Sequence, residues 1–192
     1  MAQFLNAAQE AGIAAIALIP VFLLLNRLRF QNIKNTLLYL LFAVYLSGVY
    51  AVVGLPNVSY IRFEANLNFI PFAGMLSDLS GTVLNVILFI PLGLFLFLLW
   101  KPFRRISTVM LFGFSFSLAI EVLQMLTYRA TDVSDLIANT LGTLAGYGIG
   151  RLVRKARPSL LLRCRHADLY WIIAVSSAVM FFIQPVIWNI LY

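Results

Sequence analysis

Long apolar segments alternate with short polar ones along the whole chain. A helix that crosses a lipid bilayer needs about 20 mostly apolar residues. The segments that reach this length are 8–26, 35–54, 81–100, 107–126, 134–152 and 169–191. The first lacks a basic leader and a cleavage site, so we interpret it as a span and not as a removable signal peptide. The pattern predicts an all-α fold: a polytopic membrane helix bundle of six transmembrane helices, with residues 1–192 as a single membrane domain.

The composition excludes an ordinary soluble domain. The 192 residues are 62% hydrophobic and 11% charged, whereas a soluble domain carries about 25% charged residues. A core of ordinary size cannot hide that much apolar surface, so lipid must be the solvent. Because the chain has one Cys and one His, an internal disulfide and a Cys-based zinc site are excluded, and we expect no metal and no cofactor.

The basic residues orient the predicted helices. If six helices alternate in direction, twelve of the fourteen Lys and Arg residues lie on one side of the membrane. These twelve are Arg27, Arg29, Lys34, Lys101, Arg104, Arg105, Arg151, Arg154, Lys155, Arg157, Arg163 and Arg165. Basic loops are kept on the cytoplasmic side, so both termini are predicted to be extracytoplasmic. The net charge of +7 then reflects orientation, and we expect no nucleic-acid partner.

Polar residues within three spans fall at one predicted depth near the outer surface. Ser117, Glu121 and Gln124 share a face of the fourth span, because side chains three and four residues apart are neighbours on a helix. Asp135 and Asn139 share a face of the fifth span, which places Asn139 level with Glu121. We predict a polar pocket that opens to the outside. Its lining would be Asn85, Glu121, Gln124 and Asn139, with Arg129, Asp132 and Asp135 at the rim.

The same side chains also have structural interpretations. The two rim acids are typical of a helix N-cap and a first-turn acid, and the two asparagines are typical of hydrogen bonds between helices. Gln124 could extend to the water surface, and Arg129 could pair with Asp132 in the turn. Glu121 is the hardest to explain structurally, because a charge costs about 2.5–3.5 kcal/mol at the bilayer centre on insertion scales, and less near an interface.

Small residues predict where helices pack closely. Gly142, Gly146 and Gly150 recur at every fourth position of the fifth span. This spacing lets the backbone of a neighbouring helix approach. We expect packing within the bundle, with dimerisation as the alternative.

The second loop, residues 55–80, is longer than the other predicted connections. Its part NLNFIPFAGM is apolar, contains a central proline and is too short to cross the membrane. Two interpretations are open. Either this part dips into the outer leaflet beside the pocket, which would bring Asn68 to the site, or it is an ordinary loop at the membrane interface.

Taken together, four sequence segments resemble the VanZ-like family, which is named for a teicoplanin-resistance protein. They are NFIPF (68–72), LNVILFIPLG (84–93), SLAIEVLQ (117–124) and RATDVSDLIANTLGTLAGY (129–147). Each is weak alone, but their order and spacing are specific and outline a VanZ-like core over residues 66–150. The resemblance implies a cell-envelope role in the bacterial plasma membrane. The family's characteristic polar residues fall here on Asn68, Asn85, Glu121, Gln124, Arg129, Asp132, Asp135 and Asn139.

Four functions are open. The leading hypothesis is a non-enzymatic binding protein for a lipoglycopeptide such as teicoplanin, or for a cell-wall precursor, that gives glycopeptide resistance or envelope protection. The alternative is a membrane-embedded enzyme that acts on a lipid-linked or peptidoglycan substrate, with Glu121 and Asp135 as acid and base. A transporter with Glu121 as an ion site and a purely structural bundle are the remaining hypotheses. Membrane lipids are expected partners, and the sequence leaves the oligomeric state open.

Overall fold

In the computed structural model the chain folds almost entirely into helices. The structure describes residues 2–59, 61, 63, 67–68, 79–127, 131–162 and 164–191. The α-helices are α1 (Ala2–Leu25), α2 (Ile33–Val53), α3 (Leu79–Leu99), α4 (Ile106–Gln124), α5 (Val133–Ala156), α6 (His166–Ala178) and α7 (Gln184–Leu191). A π-helical turn, Asn26–Phe30, extends α1, and a second one, Val179–Ile183, joins α6 directly to α7. Short 3-10 turns follow α3 at Lys101–Arg104 and α5 at Pro158–Leu160.

The helical prediction is confirmed, with one small addition. Two strands of two residues each, β1 (Leu67–Asn68) and β2 (Thr131–Asp132), pair in parallel. The second strand leads directly into α5, so this pairing lies at the start of the helix that carries Asn139.

Within the described residues, five helices are long and apolar enough to cross a membrane. They are Leu5–Phe30, Ile33–Val53, Leu79–Leu99, Ile106–Gln124 and His166–Ile190. The fifth predicted span corresponds to α5, whose 24 residues are long enough to cross. Its glycines, its polar residues and its basic C-terminal end make it less apolar than the others. The structure therefore supports five to six spans, where the sequence predicted six.

The helices form two compact units, each described by itself. The first combines Met1–Ile61 with Arg165–Tyr192, and the second is Arg62–Cys164. In the first unit α2 packs against both α1 and α6, around fully buried side chains such as Leu18 and Phe42. The single membrane domain inferred from the sequence stays a prediction.

The first unit buries one carboxylate. Asp168 is 2% exposed. The hydroxyl of Tyr39 donates a hydrogen bond to its Oδ2 at 3.0 Å, and the Nε of Arg29 lies 3.5 Å from its Oδ1. A buried charge needs an opposite charge and hydrogen-bond donors, and this set provides both.

In the second unit α3 and α5 pack with their backbones in contact. A Cβ placed on Gly142 would overlap the carbonyl oxygen of Val86, and a Cβ on Gly146 would overlap that of Ile90. The second contact lies four residues after the first in both helices, so α3 and α5 run in the same direction. The predicted packing of the glycine stripe within the bundle is confirmed for this pair of helices.

Helix α4 packs on α5 in the opposite direction. Its Gly113 faces Thr143, where an added Cβ would lie 2.9 Å from the threonine Cγ2. One turn further along α4, Ser117 is hydrogen-bonded to Asn139, which precedes Thr143 by one turn of α5. The antiparallel pairing expected for adjacent spans is therefore present, and it brings the polar ends of α4 and α5 together.

Candidate functional site

The polar residues of α4 and α5 meet at a buried hydrogen bond. The side-chain nitrogen of Asn139 donates to the Oγ of Ser117 at 2.9 Å. Asn139 is 2% exposed and Ser117 is fully buried. The backbone carbonyl of Asn139 also accepts a hydrogen bond from the Thr143 hydroxyl at 2.9 Å. This arrangement fixes the position of Asn139 in the helix pair.

Glu121 is buried one helical turn closer to the loop than Ser117. It is 3% exposed, and its Oε2 accepts a hydrogen bond from the backbone N–H of Asp132 at 3.1 Å. Asp132 is the N-cap of α5, and its own Oδ1 accepts from the N–H of Ser134 at 2.7 Å. A carboxylate is stabilised near the N-terminus of a helix by the helix dipole. The Glu121 side chain of α4 thus forms a hydrogen bond with the start of α5.

The strand pair brings the backbone of the second loop to this position. In the parallel register Leu67 lies opposite Thr131 and Asn68 lies opposite Asp132. The backbone of Asn68 is therefore beside the residue that Glu121 binds. The side chain of Asn68 lies outside the described residues, as do Arg129 and the apolar part of the loop over residues 69–78.

Helix α4 ends at Gln124 with its side chain buried. Gln124 is 6% exposed, so the interpretation that it extends to the water surface is wrong. Its backbone carbonyl accepts from both the N–H and the hydroxyl of Thr127, each at 2.9 Å. These bonds satisfy a carbonyl that the end of a helix leaves without an intrahelical partner.

Two of the predicted residues lie at the edge of this arrangement. Asp135 is the acid in the first turn of α5 and is partly exposed, in agreement with the first-turn interpretation. Asn85 is half-buried on α3. Because its neighbour Val86 packs opposite Gly142, Asn85 lies within about one turn of the level of Asn139.

The observed register differs from the predicted one by one turn. The sequence placed Asn139 level with Glu121, whereas Asn139 is level with Ser117 and Glu121 is level with the start of α5. The connection accounts for the difference. Since the N-cap turns back to the Glu121 carboxylate before α5 begins, α5 starts one turn deeper along α4 than predicted, and Asn139 reaches the level of Ser117.

We call Ser117, Glu121, Asp132, Ser134 and Asn139 the α4–α5 polar cluster. Two of its atoms are buried and have no hydrogen-bond partner in the described structure: the side-chain oxygen Oδ1 of Asn139 and the hydroxyl of Ser134. Burying a polar atom without a partner costs about 1–3 kcal/mol. Ser134 was not among the predicted site residues. Its signal in the sequence was its position two turns before Gly142, on the closely packed face of α5.

The cluster offers hydrogen bonding and one or two negative charges. Within the described ranges, no three His, Cys, Asp or Glu side chains come together as metal ligands would. Amide, hydroxyl and carboxylate groups of this kind suit amide, amine or sugar groups of a ligand.

Comparison with known proteins adds one result. A family model described as VanZ/LLP1 matches residues 36–154. This segment extends from the start of α2 to the end of α5 and contains the whole α4–α5 polar cluster. No curated protein and no solved structure matches the chain. Because the family match covers more than half of the sequence, the chain belongs to the VanZ-like family of membrane proteins.

Proposed function

We propose that the α4–α5 polar cluster binds an amphiphile in the outer leaflet of the bacterial plasma membrane. The ligand is a lipoglycopeptide such as teicoplanin or a lipid-linked cell-wall precursor, and binding gives glycopeptide resistance or envelope protection. Membership of the VanZ-like family supports a VanZ-type membrane protein. The ligand class is what the resemblance to this family implies, and the amide, hydroxyl and carboxylate groups of the cluster suit such a ligand.

One observation supports the proposal most directly: in the Asn139 side chain the amide nitrogen has a hydrogen-bond partner and the amide oxygen has none among the described residues. Its nitrogen is bonded to Ser117, and its oxygen is buried without a partner among the described residues. An asparagine that served only to join two helices would not need to leave its acceptor unpaired, because that acceptor lowers stability. A ligand N–H or O–H would satisfy the oxygen. Peptide amides and sugar hydroxyls, which both ligand classes carry, are such donors.

The helix directions support the extracytoplasmic location of the cluster. Alternating spans require α3 and α5 to run in one direction and α4 in the other, as their contacts indicate. With this alternation, the basic segments at residues 101–105 and 151–157 share one side of the membrane. The positive-inside rule makes that side cytoplasmic, so in this proposal the loop between α4 and α5 faces outward.

The enzymatic alternative is less well supported. An acid–base pair needs two carboxyl groups in different environments, and Glu121 is buried whereas Asp135 is partly exposed. However, the Glu121 carboxylate already holds the backbone N–H of Asp132. Proton transfer at Glu121 in each turnover would disturb the N-terminus of α5, so binding is the better proposal.

The test separates ligand binding from helix packing. A susceptible Gram-positive host carries the wild type, Asn139→Ala, Ser117→Ala or no insert at matched membrane levels, and growth inhibition by teicoplanin and by vancomycin is measured. Ser117→Ala removes the bond between the helices but keeps the Asn139 oxygen. We expect selective protection from teicoplanin by the wild type, partial protection by Ser117→Ala and none by Asn139→Ala.

Equal loss in both variants would mean that Asn139 acts only through α4. If neither the wild type nor a variant protects the host, resistance is excluded. A second experiment, on cell-wall precursors, then tests whether the cluster binds a ligand. In that experiment, mass spectrometry identifies lipid-linked precursors that co-purify with the wild type and with Asn139→Ala. If neither protection nor a co-purified precursor depends on Asn139, the proposed function is wrong.

A further inference from the structure

The first unit carries an apolar groove on the exposed face of α6. The groove has a volume of about 370 Å³ and is lined by Ala167, Tyr170, Trp171 and Ala174. These residues recur at helical spacing, so they form one face. The two alanines leave a shallow floor between two large aromatic side chains that are 60% and 44% exposed.

Each aromatic wall contacts a basic residue: Arg29 from the turn after α1, and His166 from the start of α6. The guanidinium carbon of Arg29 lies 5.1 Å from the ring centroid of Trp171, within the range of a cation–π interaction. The ring of His166 packs edge-on against Tyr170 with centroids 5.8 Å apart. The groove is therefore bounded by two aromatic side chains, each of which contacts a basic residue.

The contacts of Arg29 with Asp168 and Trp171 position its guanidinium group but leave its terminal nitrogens available for a ligand. Asp168 approaches it only at Nε, at 3.5 Å, while its side chain stays 29% exposed. No described residue forms a hydrogen bond with its terminal nitrogens. Arg27 and Arg165 are exposed in the same segments, next to Arg29 and at the N-cap of α6. Arg29, whose guanidinium lies against Trp171, places a positive charge beside this end of the groove.

We propose that this groove is a binding site for an anionic phospholipid, such as phosphatidylglycerol. One acyl chain lies along α6 over Ala167 and Ala174, and the phosphate pairs with the terminal nitrogens of Arg29. Tyr and Trp favour the headgroup level of a bilayer, which suits the walls of such a site. Arg binds phosphate in a bidentate manner. Charge complementarity therefore selects an anionic lipid over a zwitterionic one.

The inference is separate from the α4–α5 polar cluster. From the proposed function it takes only the orientation, which puts this end of α6 on the cytoplasmic side, where anionic lipid attracts basic segments. The test is made in detergent, so its outcome depends neither on orientation nor on the ligand of the cluster.

The experiment is native mass spectrometry of the purified full-length protein titrated with phosphatidylglycerol or with phosphatidylcholine. The wild type should bind one phosphatidylglycerol before any phosphatidylcholine. Ala174→Leu fills the groove without changing charge, and it should remove this first lipid. Ala8→Leu, at an exposed position of α1, is the matched control and should bind like the wild type.

Charge is tested with Arg29→Gln and Arg165→Gln. Arg29→Gln should weaken phosphatidylglycerol binding about fivefold and leave phosphatidylcholine binding unchanged, in line with the attraction of one basic residue for anionic lipid. If Arg29→Gln does not fold, because Asp168 loses its partner, Arg165→Gln should still lower the preference between the two lipids. Equal affinity of the wild type for both lipids, or full binding by Ala174→Leu, would overturn the proposal.

Discussion

The carboxylate of Glu121 on α4 accepts a hydrogen bond, at 3.1 Å, from the backbone N–H of Asp132, the N-cap of α5. The contact joins two helices across a loop, and it gives the costliest side chain of the fourth span a structural partner. A carboxylate suits this position, because the N-terminus of a helix presents unpaired N–H donors and a partial positive charge. The remaining question is whether the oxygen or the charge of Glu121 matters more.

Two substitutions of Glu121 separate these contributions to stability. Glu121→Ala leaves the partly buried N–H of Asp132 without its acceptor, and we expect a loss of about 1–3 kcal/mol in the free energy of unfolding. Glu121→Gln keeps an oxygen acceptor and should lose less than half as much. The measurement is reversible unfolding in mixed micelles. If both variants lose the same amount, the negative charge stabilises the helix start and the hydrogen bond does not.

The close contact of α3 and α5 predicts a large difference between two glycines of the same helix. Gly146→Ala would place a methyl group against the carbonyl oxygen of Ile90, whereas Gly148→Ala meets nothing within 4 Å. We expect Gly146→Ala to destabilise the protein by about 1–3 kcal/mol, because overpacking forces the backbones apart. Gly148→Ala should be neutral or stabilise by up to about 1 kcal/mol, since alanine favours a helix.

Thermal unfolding of the two variants in the same detergent is the measurement for this pair. Both substitutions add one methyl group to α5, so a general effect of helix propensity or of lipid contact would shift both alike. Similar unfolding temperatures for Gly146→Ala and Gly148→Ala would contradict the close packing.

The orientation predicts different accessibility for two serines. In a Cys164→Ser background, Ser59→Cys lies in the second loop and Ser159→Cys in the basic segment after α5, and both positions are exposed. A membrane-impermeant maleimide should label Ser59→Cys in intact cells, and should label Ser159→Cys only after permeabilisation. The reverse pattern would place both termini in the cytoplasm and move the α4–α5 polar cluster to the inner side.

The sequence predicted the helices well because hydropathy reports directly on lipid exposure. All six apolar segments became helices, and the glycine spacing of α5 correctly indicated a close helix partner. The weaker result for α5 has the same physical origin. Its small and polar residues, such as Gly142 and Asn139, pack against protein and not lipid, so they lower its hydropathy without shortening the helix.

The details of the site were harder to predict, because they depend on the connection between α4 and α5. Helical spacing showed that Ser117 and Glu121 share a face, but it could not show that the N-cap turns back to Glu121 and sets the register. The burial of Ser134 depends on the same register. The parallel pairing of Asn68 with Asp132 joins residues far apart in sequence, and no local pattern predicts it.

The unpaired hydroxyl of Ser134 gives the sharpest separation of stability from function. Ser134 and Ser176 are both buried, and neither hydroxyl has a hydrogen-bond partner in the described structure. Replacing either by alanine removes a buried polar atom that gains nothing in the unliganded protein. We expect each variant to match or exceed the wild-type free energy of unfolding by about 1 kcal/mol.

The two variants should differ in activity, because only Ser134 belongs to the α4–α5 polar cluster. If the ligand uses this hydroxyl, Ser134→Ala lowers teicoplanin protection or precursor binding while the fold becomes no less stable, whereas Ser176→Ala keeps wild-type function. Such an outcome is typical of a site where a polar group is retained at a cost in stability. Wild-type function in Ser134→Ala would restrict the ligand contacts to Asn139 and the acids. Lower stability in both variants would show that each hydroxyl has a partner when the protein is in the membrane.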